Sequence, residues 1–162
     1  MKPSMIIVGM ADLKVCKNPE ILTTLGLGSC VGVALYDKIN KVAGLAHAML
    51  PDSNAFTNNS NRMKFVDTSI ADLVVKMCAQ GANKNNIKAK IAGGAQMFAH
   101  SSTNESMRIG DRNVEATLNF LRKFGIPLLA RETGSTFGRT VELYSDDGRF
   151  IIKTISHGVK TI

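Results

Sequence analysis

The residues best suited to covalent chemistry in this sequence are a cysteine and a histidine that follow a glycine-rich stretch. Residues 26–30 read Gly-Leu-Gly-Ser-Cys. Two apolar stretches follow, and His47 lies in the second of them. Glycine adopts tight, positive-φ conformations at little cost, so the chain can turn sharply just before the thiol. A thiol, an imidazole and free backbone N–H groups are the parts that thiol nucleophilic catalysis requires. Cys30 is therefore the candidate nucleophile, His47 the candidate base, and the backbone at Gly28, Ser29 and Cys30 the candidate oxyanion site.

Two apolar stretches must bring these groups together. Residues 31–36 and 42–50 have β-strand character, with a short polar turn between them. An antiparallel hairpin closed by this turn pairs Gly32 with His47 and makes Cys30 a diagonal neighbour of His47, with ~7–8 Å or less between the two Cβ atoms. Glycine at position 32 is expected to leave room for the imidazole. A shift of one residue would put the thiol and the imidazole on opposite faces, so the hypothesis depends on the register.

Each of the two residues also has an ordinary structural explanation. Free cysteines are commonly buried as small apolar residues, and a histidine on an apolar strand is often a hydrogen-bonded core residue. The other cysteines, Cys16 and Cys78, lie in a strand pattern and beside a helical apolar stripe, and both are expected to be structural. Three widely spaced cysteines form neither a disulfide framework nor a paired metal site. We therefore expect a reducing, cytoplasmic setting and no metal or cofactor.

The rest of the chain predicts an α+β fold. Strand patterns predominate and are mostly joined by turns, while the helices fall in the middle without regular β-α-β alternation. One helix is expected from Asp67 or Thr68 to about Gln80, and a second from Asp111 through Phe124. The predicted apolar stripe of the second helix consists of Val114, Leu118, Leu121 and Phe124.

Length and composition are those of an ordinary globular protein. The chain has 162 residues, of which 44% are apolar and 20% charged, and we expect one domain over residues 1–162. No apolar run approaches the ~20 residues needed to span a bilayer, and the N-terminus has no signal-peptide cleavage pattern, so no membrane insertion is expected. Residues 51–63 and the segment around His100 are predicted loops, and the chain end around His157 is expected to be loose.

The net charge of +7 invites a nucleic-acid interpretation. The lysines and arginines are scattered, however, and the chain has no tryptophan and only two tyrosines, so stacking platforms for bases are scarce. A basic surface suited to acidic protein partners is the favoured interpretation, and no nucleic-acid binding is expected.

Several blocks of sequence resemble the CheD family of chemotaxis proteins, in order over nearly the whole chain. The blocks are residues 25–30 (LGLGSC), 47–51 (HAMLP), 67–70 (DTSI), 90–98 (KIAGGAQMF), 109–113 (IGDRN), 132–134 (ETG) and 138–141 (GRTV). The resemblance implies an α+β fold of layered, β-sandwich-like mixed sheets with helices packed on the outside. That fold is similar to the cysteine hydrolase domain of cytotoxic necrotizing factors.

The same resemblance implies a protein-glutamine glutaminase that deamidates specific glutamines on methyl-accepting chemotaxis receptors and also hydrolyses receptor glutamate methyl esters. The family's catalytic cysteine falls on Cys30, its histidine on His47 and its third member, a threonine, on Thr24, with neighbouring Thr23 as the alternative. The resemblance further implies the chemotaxis phosphatase CheC as a regulatory partner of a chain that is monomeric alone. A protein whose main role is docking to CheC is the alternative function.

Overall fold

The computed structural model of the protein describes residues 2–97 and 108–162. Within these ranges the chain forms ten β-strands and two α-helices. The strands are β1 (Met5–Ile7), β2 (Asp12–Lys17), β3 (Ile21–Leu27), β4 (Val31–Asp37), β5 (Val42–Ala48), β6 (Ile87–Gly93), β7 (Leu128–Thr133), β8 (Arg139–Tyr144), β9 (Phe150–Lys153) and β10 (Val159–Thr161). The helices are α1 (Val66–Ala79) and α2 (Ile109–Lys123), and single 3₁₀ turns occur at Ser53–Ala55, Arg62–Lys64 and Lys84–Asn86.

The strands are divided between two mixed sheets. The first has the order β1-β3-β8-β9-β10 and the second the order β2-β5-β4-β6-β7. In each sheet one neighbouring pair is parallel, β1 with β3 and β6 with β7, and the other pairs are antiparallel. The chain therefore enters the first sheet through β1, passes to the second through β2, and returns to the first through β3.

Two apolar cores separate three layers. Alternation along β4 shows the division, because Val31, Val33 and Leu35 pack with the helices whereas Ala34 packs with residues of the first sheet. One core thus lies between the sheets and the other between the second sheet and the helices. This arrangement confirms the expected α+β fold of layered sheets with helices outside.

Helix α1 begins one or two residues earlier than predicted. Phe65 precedes its first residue and makes no side-chain cap, while Asp67 accepts hydrogen bonds from the N–H of Ser53 (3.0 Å) and from its hydroxyl (2.7 Å). The helix lies close to β5 because position 44 is glycine. A Cβ there would come within 2.8 Å of Leu73 Cδ1.

Helix α2 packs its predicted stripe against the apolar core, with Leu121 buried and the other three members partly buried, and it fully buries an adjoining polar face. It begins at Ile109, so Asp111 lies in its first turn, and its buried residues are Gly110, Asn113, Thr117 and Leu121. Only one of these four is a large apolar residue, and the apolar stripe found from periodicity is otherwise partly exposed. A helix that presents glycine, amide and hydroxyl groups inward can approach the backbone of its neighbours closely, and it does so at the candidate site.

Strand β10 forms where the sequence analysis expected a loose end. It pairs antiparallel with β9, with Lys160 opposite Ile152, but all three of its residues are exposed. Without a buried face the strand has no apolar alternation to reveal it. The prediction for His100 lies outside the described residues. Across the described residues, no helix has the length and apolar character needed to cross a bilayer.

Candidate active site

The β4–β5 hairpin has the register that the sequence predicted. Gly32 lies opposite His47, Val31 opposite Ala48 and Asp37 opposite Val42. Cys30 directly precedes β4 and belongs to the core between the sheets, and His47 shares that face because it pairs with Gly32. The thiol and the imidazole therefore lie on the same side of the second sheet.

Room for the imidazole does not explain the glycine at position 32. A Cβ there would come within 3.0 Å of Leu27 Cδ1 and 3.8 Å of Val141 Cγ2, both from the opposing sheet. The glycine therefore accommodates the first sheet, not the histidine.

The first sheet supplies the partner of His47. Thr24 Oγ1 lies 2.7 Å from His47 Nδ1 and also donates to the carbonyl oxygen of Val8 at 2.7 Å. The hydroxyl of Thr23 is directed elsewhere and donates to Val141 O at 2.8 Å. Of the two threonines left open by the sequence, the one in contact with the imidazole is Thr24.

These contacts determine which imidazole nitrogen carries the proton. A hydroxyl has one proton, and a carbonyl can only accept, so the proton of Thr24 points at Val8 O. Thr24 Oγ1 must then accept from Nδ1–H of His47, which leaves Nε2 of a neutral ring as a free lone pair. Nε2 is buried and has no hydrogen-bond partner in the described part of the chain. The free base thus occupies the face that Cys30 shares.

The segment between β1 and β2 is hydrogen-bonded to both strands that carry Thr24 and His47. Val8 N–H donates to Thr23 O at 2.7 Å, and Ala11 N–H donates to His47 O at 3.0 Å. The same short crossing therefore touches β3 of the first sheet and β5 of the second. It maintains the distance between the threonine and the histidine from the backbone side.

Burial keeps the thiol and the imidazole neutral. Cys30 is 7% exposed and His47 1% exposed. Burial raises the pKa of the Cys30 thiol, and a hydrogen bond from its own backbone N–H offsets part of this effect. Burial also lowers the pKa of His47. The resting site therefore holds a thiol and a neutral imidazole rather than a thiolate–imidazolium pair.

The loop that carries Cys30 has its carbonyl groups engaged. Gly28 O accepts from Ala95 N–H and Cys30 O accepts from Gly94 N–H, both at 2.8 Å, while Gly28 N–H donates to Gly26 O at 3.0 Å. The amides of Ser29 and Cys30 make no such bond within residues 2–97 and 108–162. Of the three predicted oxyanion donors, the N–H of Gly28 is thus used inside the loop and that of Cys30 bonds to its own thiol, whereas the N–H of Ser29 has no backbone acceptor in these ranges.

Two consecutive glycines allow the close contact at this loop. Gly93 and Gly94 have φ values of +105° and +66°, and a Cβ at Gly93 would stand 2.3 Å from Cys30 O. The backbone of β6 thus approaches the Cys30 loop more closely than any residue with a side chain would allow. No other residue fits this position without moving the loop that carries the thiol.

The sequence analysis missed one residue at this site. Asn113 of α2 is fully buried, and its Nδ2 donates to Ser29 O and to Met49 O, both at 2.9 Å. The available signal was the spacing of small and polar residues on α2 at positions 110, 113 and 117, which share one helical face. Over the described residues, no cluster of three or more metal-binding side chains occurs.

The geometry defines a class of protein. It is a layered α+β protein with a buried thiol and, on the same side of the second sheet, an imidazole that is hydrogen-bonded to a threonine. Comparison with known proteins identifies the family. A family model described as CheD chemotactic sensory transduction matches residues 49–154. The chain belongs to the CheD family.

Similar proteins span the whole chain, including the candidate site that precedes the family-model match. A protein of Caldanaerobacter subterraneus subsp. tengcongensis, named probable chemoreceptor glutamine deamidase CheD, is 56% identical over 162 residues, 100% of both chains. The chemoreceptor glutamine deamidase CheD of Halalkalibacterium halodurans is 51% identical over 156 residues, 96% of each chain. The solved structure of Bacillus licheniformis hypothetical protein YfiH has a TM-score of 0.48 at 17% identity and covers 76% of this chain and 51% of that chain.

Proposed function

We propose that this protein hydrolyses the side-chain amide of specific glutamines on chemoreceptors to glutamate and ammonia, with Cys30 as nucleophile, His47 as base and Thr24 as the residue that orients the imidazole. The observation that carries the proposal is the pair of contacts at Thr24 Oγ1, to His47 Nδ1 and to Val8 O, each 2.7 Å long. They leave the lone pair of Nε2 on the face of the thiol. The names of the full-length relatives support the choice of substrate.

In the acylation step, His47 Nε2 takes the proton of the Cys30 thiol while the sulfur bonds to the carboxamide carbon of the glutamine. Because burial disfavours a standing thiolate, we expect proton transfer and attack to occur together. The carbonyl oxygen becomes an oxyanion that the amides of Ser29 and Cys30 can bind, and each such donor is typically worth ~3–4 kcal/mol. The imidazolium then protonates the amide nitrogen, and the carbon–nitrogen bond breaks so that the nitrogen leaves as ammonia.

In the deacylation step, His47 takes a proton from a water molecule that attacks the thioester. The carbon–sulfur bond breaks, glutamate is released, and the sulfur regains its proton from the imidazolium. Hydrolysis of a receptor glutamate methyl ester follows the same steps with methanol as the leaving group, and we propose it as a further activity of the site.

The deciding experiment co-expresses a chemoreceptor with the wild-type protein or with Cys30→Ala and measures glutamine-to-glutamate conversion by mass spectrometry. We expect conversion with the wild type and none above background with the variant. Cys78→Ala is the matched control, because Cys78 is an exposed cysteine on α1, and it should convert at the wild-type rate. Conversion by Cys30→Ala at the wild-type rate would contradict the proposal.

We also propose that the chain acts in the cytoplasm, is monomeric alone and docks to the phosphatase CheC. The support for docking is the family membership alone. If CheC binding is independent of catalysis, Cys30→Ala should bind CheC as the wild type does in a pull-down with both purified proteins. A variant that is inactive and still docks would show that the two roles are separate.

A further inference from the structure

The backbone pairing of the β4–β5 hairpin ends at the catalytic residues. The last pair is Val31 with Ala48, so Cys30 and Met49 would form the next one. Both turn to other partners instead, since Met49 N–H donates to Lys64 O and Cys30 O accepts from Gly94 N–H, each at 2.8 Å. The two chain segments that must keep the thiol near the imidazole therefore lose their mutual backbone bonds at this point.

In the part of the chain that the structure describes, one side chain bonds to both segments. Asn113 Nδ2 donates one proton to Ser29 O on the Cys30 side and the other to Met49 O on the His47 side. The reverse orientation of the amide would direct its oxygen at two carbonyl oxygens, so hydrogen bonding determines the orientation. The oxygen, Oδ1, is buried without a hydrogen-bond partner in the described residues. Since buried polar atoms in native structures are nearly all hydrogen-bonded, this unpaired acceptor calls for an explanation.

Asn113 is carried by a well-anchored part of α2. A Cβ at Gly110 would lie 2.4 Å from Ala95 O, so the start of the helix is in backbone contact with the segment that binds the Cys30 loop. One turn further along, the hydroxyl of Thr117 donates to Asn113 O at 2.7 Å. The amide of Asn113 is thus presented from a rigid element.

We infer that Asn113 is a positioning residue of the reaction. Its amide takes the place of the backbone hydrogen bonds that are missing at the open end of the hairpin. It thereby sets the distance between the Cys30 thiol and His47 Nε2. The inference rests on the proposed function, but it concerns the free protein. Loss of the bridge lets the two segments separate, so His47 no longer assists the ionisation of the thiol, while binding of the substrate is largely retained.

The test measures alkylation of Cys30 by iodoacetamide without receptor, by mass spectrometry of the Cys30 peptide between pH 6 and pH 9. Asn113→Leu keeps the size of the side chain and removes both hydrogen bonds. Ser69→Ala is the matched control, because Ser69 is equally buried and its hydroxyl donates within its own helix α1, to Val66 O at 3.1 Å. At pH 7 we expect Asn113→Leu to react at least tenfold more slowly, as His47→Ala does, and Ser69→Ala to stay within twofold of the wild type.

A double variant distinguishes positioning from general damage to the fold. If Asn113 acts through the histidine, adding His47→Ala to Asn113→Leu lowers the rate less than twofold further. The inference is overturned if the double variant shows the product of the two single rate reductions. It is also overturned if folded Asn113→Leu is alkylated at the wild-type rate. Asn113→Ser replaces the leucine variant under the same criteria if the latter shows no cooperative melting, since one hydroxyl proton reaches only one carbonyl.

Receptor deamidation supplies a second readout. We expect Asn113→Leu to lower kcat and to leave KM within about twofold, because Asn113 touches no substrate. A raised KM with unchanged kcat would overturn the positioning role. Failure of the proposed function has a different signature, namely full receptor conversion by Cys30→Ala, and it leaves the alkylation result interpretable.

Discussion

Thr24 and Thr23 are adjacent, buried and chemically identical, yet only one of them reaches the histidine. Alternation along β3 directs the Thr24 hydroxyl toward the second sheet and the Thr23 hydroxyl to Val141 O in its own sheet. A main-chain carbonyl, Val8 O, then fixes the direction of the Thr24 proton and, through it, the tautomer of His47. The side chain that orients the base is itself oriented by the backbone.

This arrangement predicts a sharp difference between two isosteric variants. Thr24→Val removes the acceptor of Nδ1–H, so the imidazole can place its proton on Nε2 and lose its function as base. We expect a loss in kcat of about 10²-fold, within the 10²–10⁴-fold that a general base contributes. Initial rates of receptor deamidation and Cys30 alkylation measure the effect.

Thr23→Val is the control for that variant. Thr24→Val removes two hydrogen bonds of a buried hydroxyl and Thr23→Val removes one, so the free energy of unfolding should fall by about 1 kcal/mol per bond lost. Only Thr24→Val should lower activity. Equal activities of the two variants would show that Thr24 does not orient the base.

At the scale of elements, the thiol is positioned by the contact of β6 with the loop before β4. Gly93, the last residue of β6, allows that contact because it lacks a side chain and adopts a positive φ. The hairpin supplies the register, whereas β6 and α2 supply the position of the loop. The Cys30 loop is therefore built from segments far apart in the sequence.

Gly93→Ala should damage both the fold and the site. Its Cβ would meet a backbone atom, Cys30 O at 2.3 Å, which cannot rotate away as a flexible side chain can. Gly125→Ala is the matched control, since Gly125 also has a positive φ, +71°, but open space around it. We expect the control to lose about 1–2 kcal/mol of unfolding free energy and to keep the wild-type activity.

For Gly93→Ala, the expected loss of unfolding free energy exceeds that of the control, and the rate of Cys30 alkylation falls in parallel. Urea unfolding and peptide mass spectrometry measure the two effects. If Gly93→Ala matches Gly125→Ala in both measurements, the contact with the loop does not position the thiol.

The hairpin could be predicted from sequence because its determinants are local. A polar turn between two apolar stretches specifies the pairing of Gly32 with His47, since any slip would expose the buried faces. The pairing of Cys30 with His47 as candidate residues followed from the same local pattern. Asn113 could not be predicted in this way, because the two carbonyl groups that it joins lie far from it in the chain, and periodicity emphasises large apolar residues.

At the scale of the whole molecule, the candidate site lies between two sheets rather than in a surface cleft. Each sheet contributes part of the site, Thr24 from the first and His47 from the second, so the site is complete only while the sheets remain packed. A buried imidazole in this position also couples folding to pH.

The stability of the protein should fall in mild acid. Burial lowers the pKa of His47 from its ordinary 6.5, so below that pH the unfolded chain binds a proton that the folded protein does not. The free energy of unfolding therefore decreases as the pH falls from about 6.5 to the lowered pKa, by up to 1.4 kcal/mol per pH unit, and no further below it. Urea titrations at pH 8, 7, 6 and 5 measure this slope.

His47→Gln removes the titrating group and retains a polar side chain. Its unfolding free energy should change less between pH 7 and pH 5 than that of the wild type. An identical slope in both proteins would mean that His47 does not remain neutral in the folded state at these pH values.

The crossing between β1 and β2 gives a short edge strand an influence on the site. β1 has only three residues, lies at the edge of its sheet and has two exposed side chains, Met5 and Ile7, so it is a natural place for local unfolding. When β1 unfolds locally, Val8 O moves away from Thr24, and the hydroxyl of Thr24 can rotate freely. On the proposed mechanism, this local opening lowers the fraction of molecules in which His47 can act as the base.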